Sequence, residues 1–409
     1  MKNITVRSSV VLSCFLLLAS CLISCGRTST STPASITKLE SKSGDNYKIG
    51  VILPLSGKYK IYGESALHGI ECAAGVYSPC NGIIKATLVI KDDKGMPDIA
   101  AMAVEELVDK EKVGVIIGPL SSASVEAAAA KAQELGVPLI SLSQKEGVTQ
   151  MGEYIFSVAM TARSQIEMIV DWAVNKKKMK TFAVIYPLST YGEASKRLFN
   201  EAVKKAGGRV VLSEGYGETN LDFSGIFGKG VKFDALFIPD SYRAVGYLSS
   251  AMMLEGIEGV QLLGNNRWNS ADIAERGGEA VQGAVFVDGF SGASHSAAVQ
   301  NFISVFDQVY KLKPTILESQ GYDATMLASK ALQATGGAHG KDVRDSLAAI
   351  PDIEGSTGST GFDQNREVIR RMFVLTVKGD NIKELEGTYT PPPPRGKYGE
   401  PIQTPSMNR

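Results

Sequence analysis

The stretch VGVIIGPLSSASVEAAAAKAQELGVPLISLS, Val113 to Ser143, limits the folds open to this chain more than any other. Val113–Ile117 is a short β-branched apolar run, the pattern of a strand buried on both faces. Gly118-Pro119 stops it. Ser121 and Ser122 stand where an N-cap belongs, and Ser124 to Leu135 is Ala-rich with Glu and Lys, a strong helix former. Gly136 ends that helix, and Val137-Pro138 leads into a second apolar run, Leu139–Leu142. The unit is β–α–β, so its strands are expected to be parallel with a right-handed crossover. Open parallel sheets take ligands at the carboxyl ends of their strands. Ser121, Ser122 and Ser143 all fall at such ends, where first-turn N–H groups suit an anion such as a carboxylate. Helix capping alone accounts equally for the first two serines.

At 409 residues the chain exceeds one average core, so two domains are expected. Lysines plus arginines number 43, as do aspartates plus glutamates, so no basic field calls for nucleic acid. The run Lys176–Lys180 has no interleaved aromatics and reads as a solvated helix end.

The N-terminus reads as a targeting segment. Lys2 and Arg7 precede the apolar run Val10–Ser24, which is too short and wrongly flanked for a membrane span. Leu18–Cys21 and Leu22–Cys25 both resemble the bacterial lipobox, in which cleavage precedes a cysteine that is then lipidated. Cys25 is favoured over Cys21, because a Ser/Thr-rich stretch starts right after it. Residues 1–25 are thus expected to be a lipoprotein signal peptide and 26–46 a polar flexible tether. Cys72 and Cys80 remain beyond it. In an oxidising compartment they form either a disulfide closing a short loop or two buried thiols.

Beyond the tether the strand–helix alternation is sustained. Strands are expected at Tyr47–Leu53, Lys85–Ile90 and Tyr154–Val158 besides the two above, with helices at Gly63–Tyr77 and Ile99–Lys110. After Met160 the pattern restarts, with strands at Phe182–Tyr186, Val210–Glu214, Asp234–Pro239, Val260–Gly264 and Gly283–Asp288. Helices at Ser164–Asn175, Glu193–Ala206 and Ala244–Leu254 alternate with them. Three helices follow, at Ala297–Tyr310, Gln320–Ala334 and Lys341–Ala349, then a late strand, Met372–Lys378. The tail 387–409 is Pro-rich and extended. The fold class is α/β, two Rossmann-like lobes with parallel sheets.

Local stretches carry a resemblance. ILPLSGKYKIYGESALHGIE (52–71), VIKDDKG (89–95), GVPLIS (136–141), YPLSTYGEASKR (186–197), FDALFIPDSY (233–242), QGYDATMLASKAL (320–332) and STGFDQNR (359–366), in this order and spacing, resemble the type 1 periplasmic binding proteins of the leucine/isoleucine/valine-binding family. The resemblance implies two lobes joined by three crossings that close on a ligand. Mapped here, lobe one spans 47–161 plus 289–358 and lobe two 162–288 plus 359–386, one ligand-binding unit over 47–386. It implies a ligand set of Tyr62, Ser121, Ser122, Ser143, Lys145, Tyr191, Tyr242 and Asn266. Two of these depart from the amino-acid-binding pattern, since Lys145 stands where a threonine is expected and Asn266 where an acid holds the ligand's ammonium. A buried ammonium without a carboxylate is expensive. An uncharged or anionic ligand suits Lys145, Asn266 and Arg267 better.

A second likeness is closer in places. IPDSYRAVGYLSSAM, LLGNNRWNS and GAVFVDGF are similar to lipoproteins that activate a penicillin-binding protein, a peptidoglycan synthase, though the helical-repeat domain such activators often carry is not seen in this sequence. The leading expectation is an extracytoplasmic solute-binding lipoprotein, serving an ABC permease for amino acids or related small molecules. Its ATPase would be another polypeptide, since no Walker A loop occurs here. The alternative is the activator; Leu22 or Gly26 rather than Asp after the candidate cysteine favours an outer-membrane anchor. No metal, nucleophile or cofactor signature occurs; His68, His295 and His339 are far apart, and Asp92-Asp93 has no visible catalytic partner. No enzyme and no cofactor are expected.

Overall fold

The computed structural model describes residues 47–80, 86–217, 223–227 and 230–385. The expected signal peptide, tether and Pro-rich tail, with Cys21 and Cys25, lie outside them. The first sheet holds β1 (Lys48–Leu53), β2 (Thr87–Asp92), β3 (Val115–Ile117), β4 (Leu139–Ser141) and β5 (Ile155–Ser157) in the order β2-β1-β3-β4-β5. All its pairings are parallel. Helices α1 (Lys60–Ala73), α2 (Pro97–Asp109) and α3 (Ser122–Leu135) connect the strands. Helices on both faces require strands without a polar side, and Val115, Ile116 and Ile117 are indeed all buried.

The pattern then repeats. After α4 (Ala162–Asp171) come β6 (Thr181–Pro187), α5 (Thr190–Lys205), β7 (Arg209–Tyr216), a short α6 (Ser224–Phe227), β8 (Ala235–Phe237), α7 (Tyr242–Leu254), β9 (Gln261–Gly264), α8 (Asp272–Gly277) and β10 (Val285–Asp288). Strands β7-β6-β8-β9-β10 are parallel and repeat the first sheet's order. In both sheets the order reverses beside the first strand. Such a switch point leaves a crevice at the strands' carboxyl ends.

The remaining chain is α9 (Ala297–Tyr310), α10 (Ile316–Ala334), α11 (Lys341–Ala349), β11 (Ile353–Gly355), β12 (Gly358–Phe362), β13 (Val368–Ile369), β14 (Phe373–Lys378) and β15 (Asn381–Glu384). Strands β14 and β15 extend the second sheet antiparallel beyond β10. Here the lobe boundaries drawn from the sequence need correction. Phe362 and Val368 belong to the apolar core of the first sheet, with Leu327, Ala331 and Phe156. Arg366 also donates to the Thr149 and Ile155 carbonyls, at 2.8 and 3.1 Å. Residues 359–369 therefore go with lobe one, and the chain returns to lobe two only at β14. Helix α9 serves both lobes. Val299, Phe302 and Phe306 share a core cluster with second-sheet residues such as Leu236 and Phe286. Its last residue, Tyr310, donates its hydroxyl to the His68 carbonyl of α1 at 3.0 Å.

Three segments cross between the lobes, and they meet at Gly289. A Cβ there would lie 2.9 Å from Ile316, 3.5 Å from Arg370 Nε and 3.6 Å from Met160 Sδ. Helices α1 and α10 also approach more closely than side chains allow. A Cβ on Gly69 would stand 1.9 Å from the Glu318 carbonyl oxygen, and one on Gly321 2.3 Å from that of Ala66. This contact joins the second half of α1 to the first turns of α10. Cys72, in the last turn of α1, is joined to Cys80 by a disulfide.

Candidate functional site

A cavity of about 840 Å³ lies between the lobes, at the carboxyl ends of the strands on both sides. Lobe one lines it from the end of β1 with Pro54, Tyr59 and Tyr62, from the end of β3 with Leu120, Ser121 and Ser122, and from the end of β4 with Gln144 and Lys145. Lobe two lines it with Thr190, Tyr191, Ser195 and Arg197 of α5, and with Arg267 after β9. A depression of about 530 Å³ beside it, sharing Ala194 and Arg197, is walled by α5 alone and offers no second surface to grip a ligand.

Local sequence explains the placements. In both lobes the helix that follows the first strand carries Tyr-Gly-Glu near its start, at Tyr62–Glu64 of α1 and Tyr191–Glu193 of α5. A Cβ on either glycine would strike the strand-end proline, at 2.2 Å from the Pro54 carbonyl oxygen and 2.0 Å from that of Pro187. Glycine thus lets each helix start press onto its strand end, and the preceding tyrosine is set at the cleft. Ser121 caps α3, its Oγ accepting from the Ser124 N–H at 3.1 Å. The Ser122 and Ala123 N–H groups have no partner within the helix, and both residues line the cleft. Ser121 is therefore committed as a cap, and Ser122 is the residue presented at the helix start.

Arg267 is held by a 3-10 turn, Asn266–Trp268, whose preceding Asn265 accepts the Arg267 N–H at 3.1 Å through Oδ1. Asn265 Nδ2 also donates to the Tyr191 hydroxyl at 2.8 Å. The Arg267 guanidinium lies over the Tyr191 ring, 5.3 Å from its centroid. Its one ion pair among the described residues is a loose 3.8 Å approach to Asp240. Asp240 is itself engaged, by the Tyr216 hydroxyl and by the Ser241 N–H. Burial pushes the Tyr191 phenol above its ordinary range, so it stays a neutral donor at physiological pH.

Five of the eight expected residues line the cleft: Tyr62, Ser121, Ser122, Lys145 and Tyr191. Three do not. Ser143 is buried, its N–H donated to Ser141 Oγ at 3.0 Å and its Oγ accepting from the Lys145 N–H at 3.3 Å. Tyr242 opens α7 and turns to Arg243 and Asp272, its hydroxyl 3.3 Å from each. Asn266 gives its N–H to Gln165 Oε1 at 3.0 Å, and the next residue, Arg267, takes the wall. The paired acids Asp92 and Asp93 are structural. Asp92 Oδ1 accepts from the Leu55 and Lys94 N–H groups, and Asp93 Oδ1 from Gly95.

Sequence reasoning missed Gln320. It is 1% exposed, lines the cleft, and its Nε2 has no acceptor. A signal existed: Gln320, Ala324, Leu327 and Ala331 recur at helical spacing, so a polar residue continues the stripe that α10 buries in lobe one. A buried amide on an apolar stripe calls for a partner.

Comparison with known proteins agrees with this architecture. The model of the periplasmic binding protein family matches residues 46–381. The leucine-, isoleucine-, valine-, threonine- and alanine-binding protein of Pseudomonas aeruginosa is 25% identical over 347 residues, covering 82% of this chain and 90% of that one. A branched-chain amino acid transporter substrate binding protein from Streptococcus pneumoniae, solved in complex with isoleucine, is 26% identical with a TM-score of 0.69, covering 83% of this chain and 99% of that one. A leucine binding protein from Thermotoga maritima is 26% identical with a TM-score of 0.68, covering 83% and 97%. These relatives are binding proteins, not enzymes. With two doubly wound lobes, a cleft between them and a family match over nearly all the described residues, the chain belongs to the periplasmic binding protein family, type 1.

Proposed function

We propose that the protein is an extracytoplasmic solute-binding component of an ABC importer for an amino acid or a related small molecule, closing two lobes around it. The observation that carries this reading is the cleft itself. It is walled by α1, α3 and α10 of lobe one and by α5 and the Arg267 turn of lobe two, so a ligand there touches both lobes. Closure takes such a ligand out of water and strengthens each polar contact. The relatives bind branched-chain amino acids, which supports the ligand's size class. Melting curves against leucine, isoleucine, valine, alanine and a series of small carboxylic acids test the reading. A compound at 100 times its Kd is expected to add about 2.7 kcal/mol of stability. A panel that leaves the curve unmoved would count against it.

The anchor is part of the same proposal. Cys25, or Cys21, bears lipid and ties the protein to the periplasmic side of a membrane. The lipobox-like stretches support this. Replacing both cysteines with serine is expected to move the protein from the membrane fraction to the soluble one, and a variant still pelleting with membrane would contradict it.

A further inference from the structure

The charges on the cleft wall do not suit a zwitterion. Lys145, Arg197 and Arg267 line it, against the single acid Glu146. Lys145 is paired at 2.9 Å with Glu126 and Arg197 at 3.0 Å with Glu201. Glu146 is exposed, and its Oε1 is taken by the Arg163 N–H at 2.9 Å. No buried carboxylate lines the cleft among the described residues, so nothing there holds an ammonium once water is expelled.

Two features ask instead for acceptors, one on each lobe. On lobe one, Gln320 Nε2 is buried and unpartnered, and it shares the wall with the free first-turn N–H groups of α3. An unpaired buried donor is a standing cost until an acceptor arrives. On lobe two, Arg267 presents a planar guanidinium, steadied on the Tyr191 ring and only loosely paired. A guanidinium fork matches a carboxylate through two parallel hydrogen bonds. A second cavity of about 310 Å³ shares Tyr191 and Arg267 with the cleft, so the guanidinium stands between two open volumes; the acid on its wall, Asp240, is already engaged by the Tyr216 hydroxyl and the Ser241 N–H.

We infer that the cleft takes a small dicarboxylate without an ammonium group, one carboxylate on Gln320 and the α3 start, the other on Arg267. This rests on the solute-binding reading above and specifies its ligand. The bound ligand bridges the lobes through both charged ends, so each end draws one lobe toward the other. Arg267 is a specificity residue that distinguishes a second carboxylate from an apolar tail, and Gln320 one that takes the first.

Calorimetric titration of the purified protein tests it, with malonate, succinate, glutarate and adipate beside butyrate and leucine. At least one dicarboxylate is expected to bind ten times or more tighter than butyrate and leucine, and more weakly as salt rises. Arg267→Gln, at a half-exposed position, is expected to fold normally. It should lose at least tenfold affinity for that dicarboxylate and a smaller factor for butyrate. Gln320→Leu should weaken both acids. Leucine binding tightly with no dicarboxylate bound would overturn the inference and leave the solute-binding reading standing. Failure of every compound to bind would overturn both. A dicarboxylate bound equally by wild type and Arg267→Gln would overturn the assignment of its second end.

Discussion

Replacing Arg370 with methionine is expected to destabilise the protein by about 3–5 kcal/mol, the cost of leaving a buried charge without its partner. Arg370 lies in the third crossing, nearly fully buried. Its Nη2 stands 3.3 Å from Asp323 Oδ2 and donates to Ser319 Oγ at 2.5 Å and to the Gly289 carbonyl at 3.3 Å. Asp323 on α10 is fully buried, and burial raises its carboxyl above the usual range while Arg370 pulls it down. Asp288, at the end of β10, is pushed up to about 7 by burial, against hydrogen bonds from Asn269, Gly289 and Phe290 and against the same arginine. One guanidinium therefore moderates two carboxyls at the place where the crossings meet.

The sign with pH follows from linkage. A carboxyl with a raised folded pKa holds its proton in the native state after the unfolded chain has lost it. Stability from that group is present below the unfolded value of about 4 and falls as pH rises through about 7. Removing Arg370 raises both carboxyls further, so the loss is expected to be larger at pH 8 than at pH 5. Denaturant unfolding at the two values measures it. An equal loss at both would mean that the arginine acts through packing alone.

Trp268→Ala is expected to cost about 3–5 kcal/mol as well, the range for emptying a buried aromatic site. The ring is fully buried in the lobe-two core, with its centroid 6.1 Å from that of Phe286. It sits so close to Gly264 that a Cβ there would fall 2.2 Å from it. Trp268 also ends the turn that aims Arg267. A cavity behind that turn loosens the guanidinium, so affinity is expected to fall along with stability. The buried indole Nε1 has no partner, so Trp268→Phe forfeits no hydrogen bond and is expected to keep most of both. An alanine variant within about 1 kcal/mol of wild type would show that the site collapses without harm.

These effects bear on how much of the molecule was readable from residues alone. The Val113–Ser143 unit was legible because β-branched runs and an Ala-rich helix leave little choice, and the alternation of both lobes followed from the same signal. The third crossing was placed about ten residues early. Strands β11 and β12 carry Gly, Ser and Thr and β13 is two residues long, so none shows an apolar period, and it is the packing of Phe362 and Val368 in lobe one that reveals where they belong. Site errors arose at turns, where one residue changes the direction faced. Asn266 and Arg267 are adjacent on a 3-10 turn, and the wall goes to the second. Ser143 was expected in the ligand set, but its N–H goes to the Ser141 hydroxyl two places back, a local competition that the sequence leaves open.

The account stands or falls on a ligand gripped by both lobes. Calorimetry of Ser122→Ala on lobe one and Tyr191→Ala on lobe two, against whichever panel compound stabilises the wild type, tests this most directly. Each variant is expected to lose about 1–3 kcal/mol of binding, the cost of stranding a desolvated group or its packing, with little change in folding stability. Wild-type affinity surviving in either variant would mean that one lobe does not touch the ligand, and that the cleft is not where this protein binds.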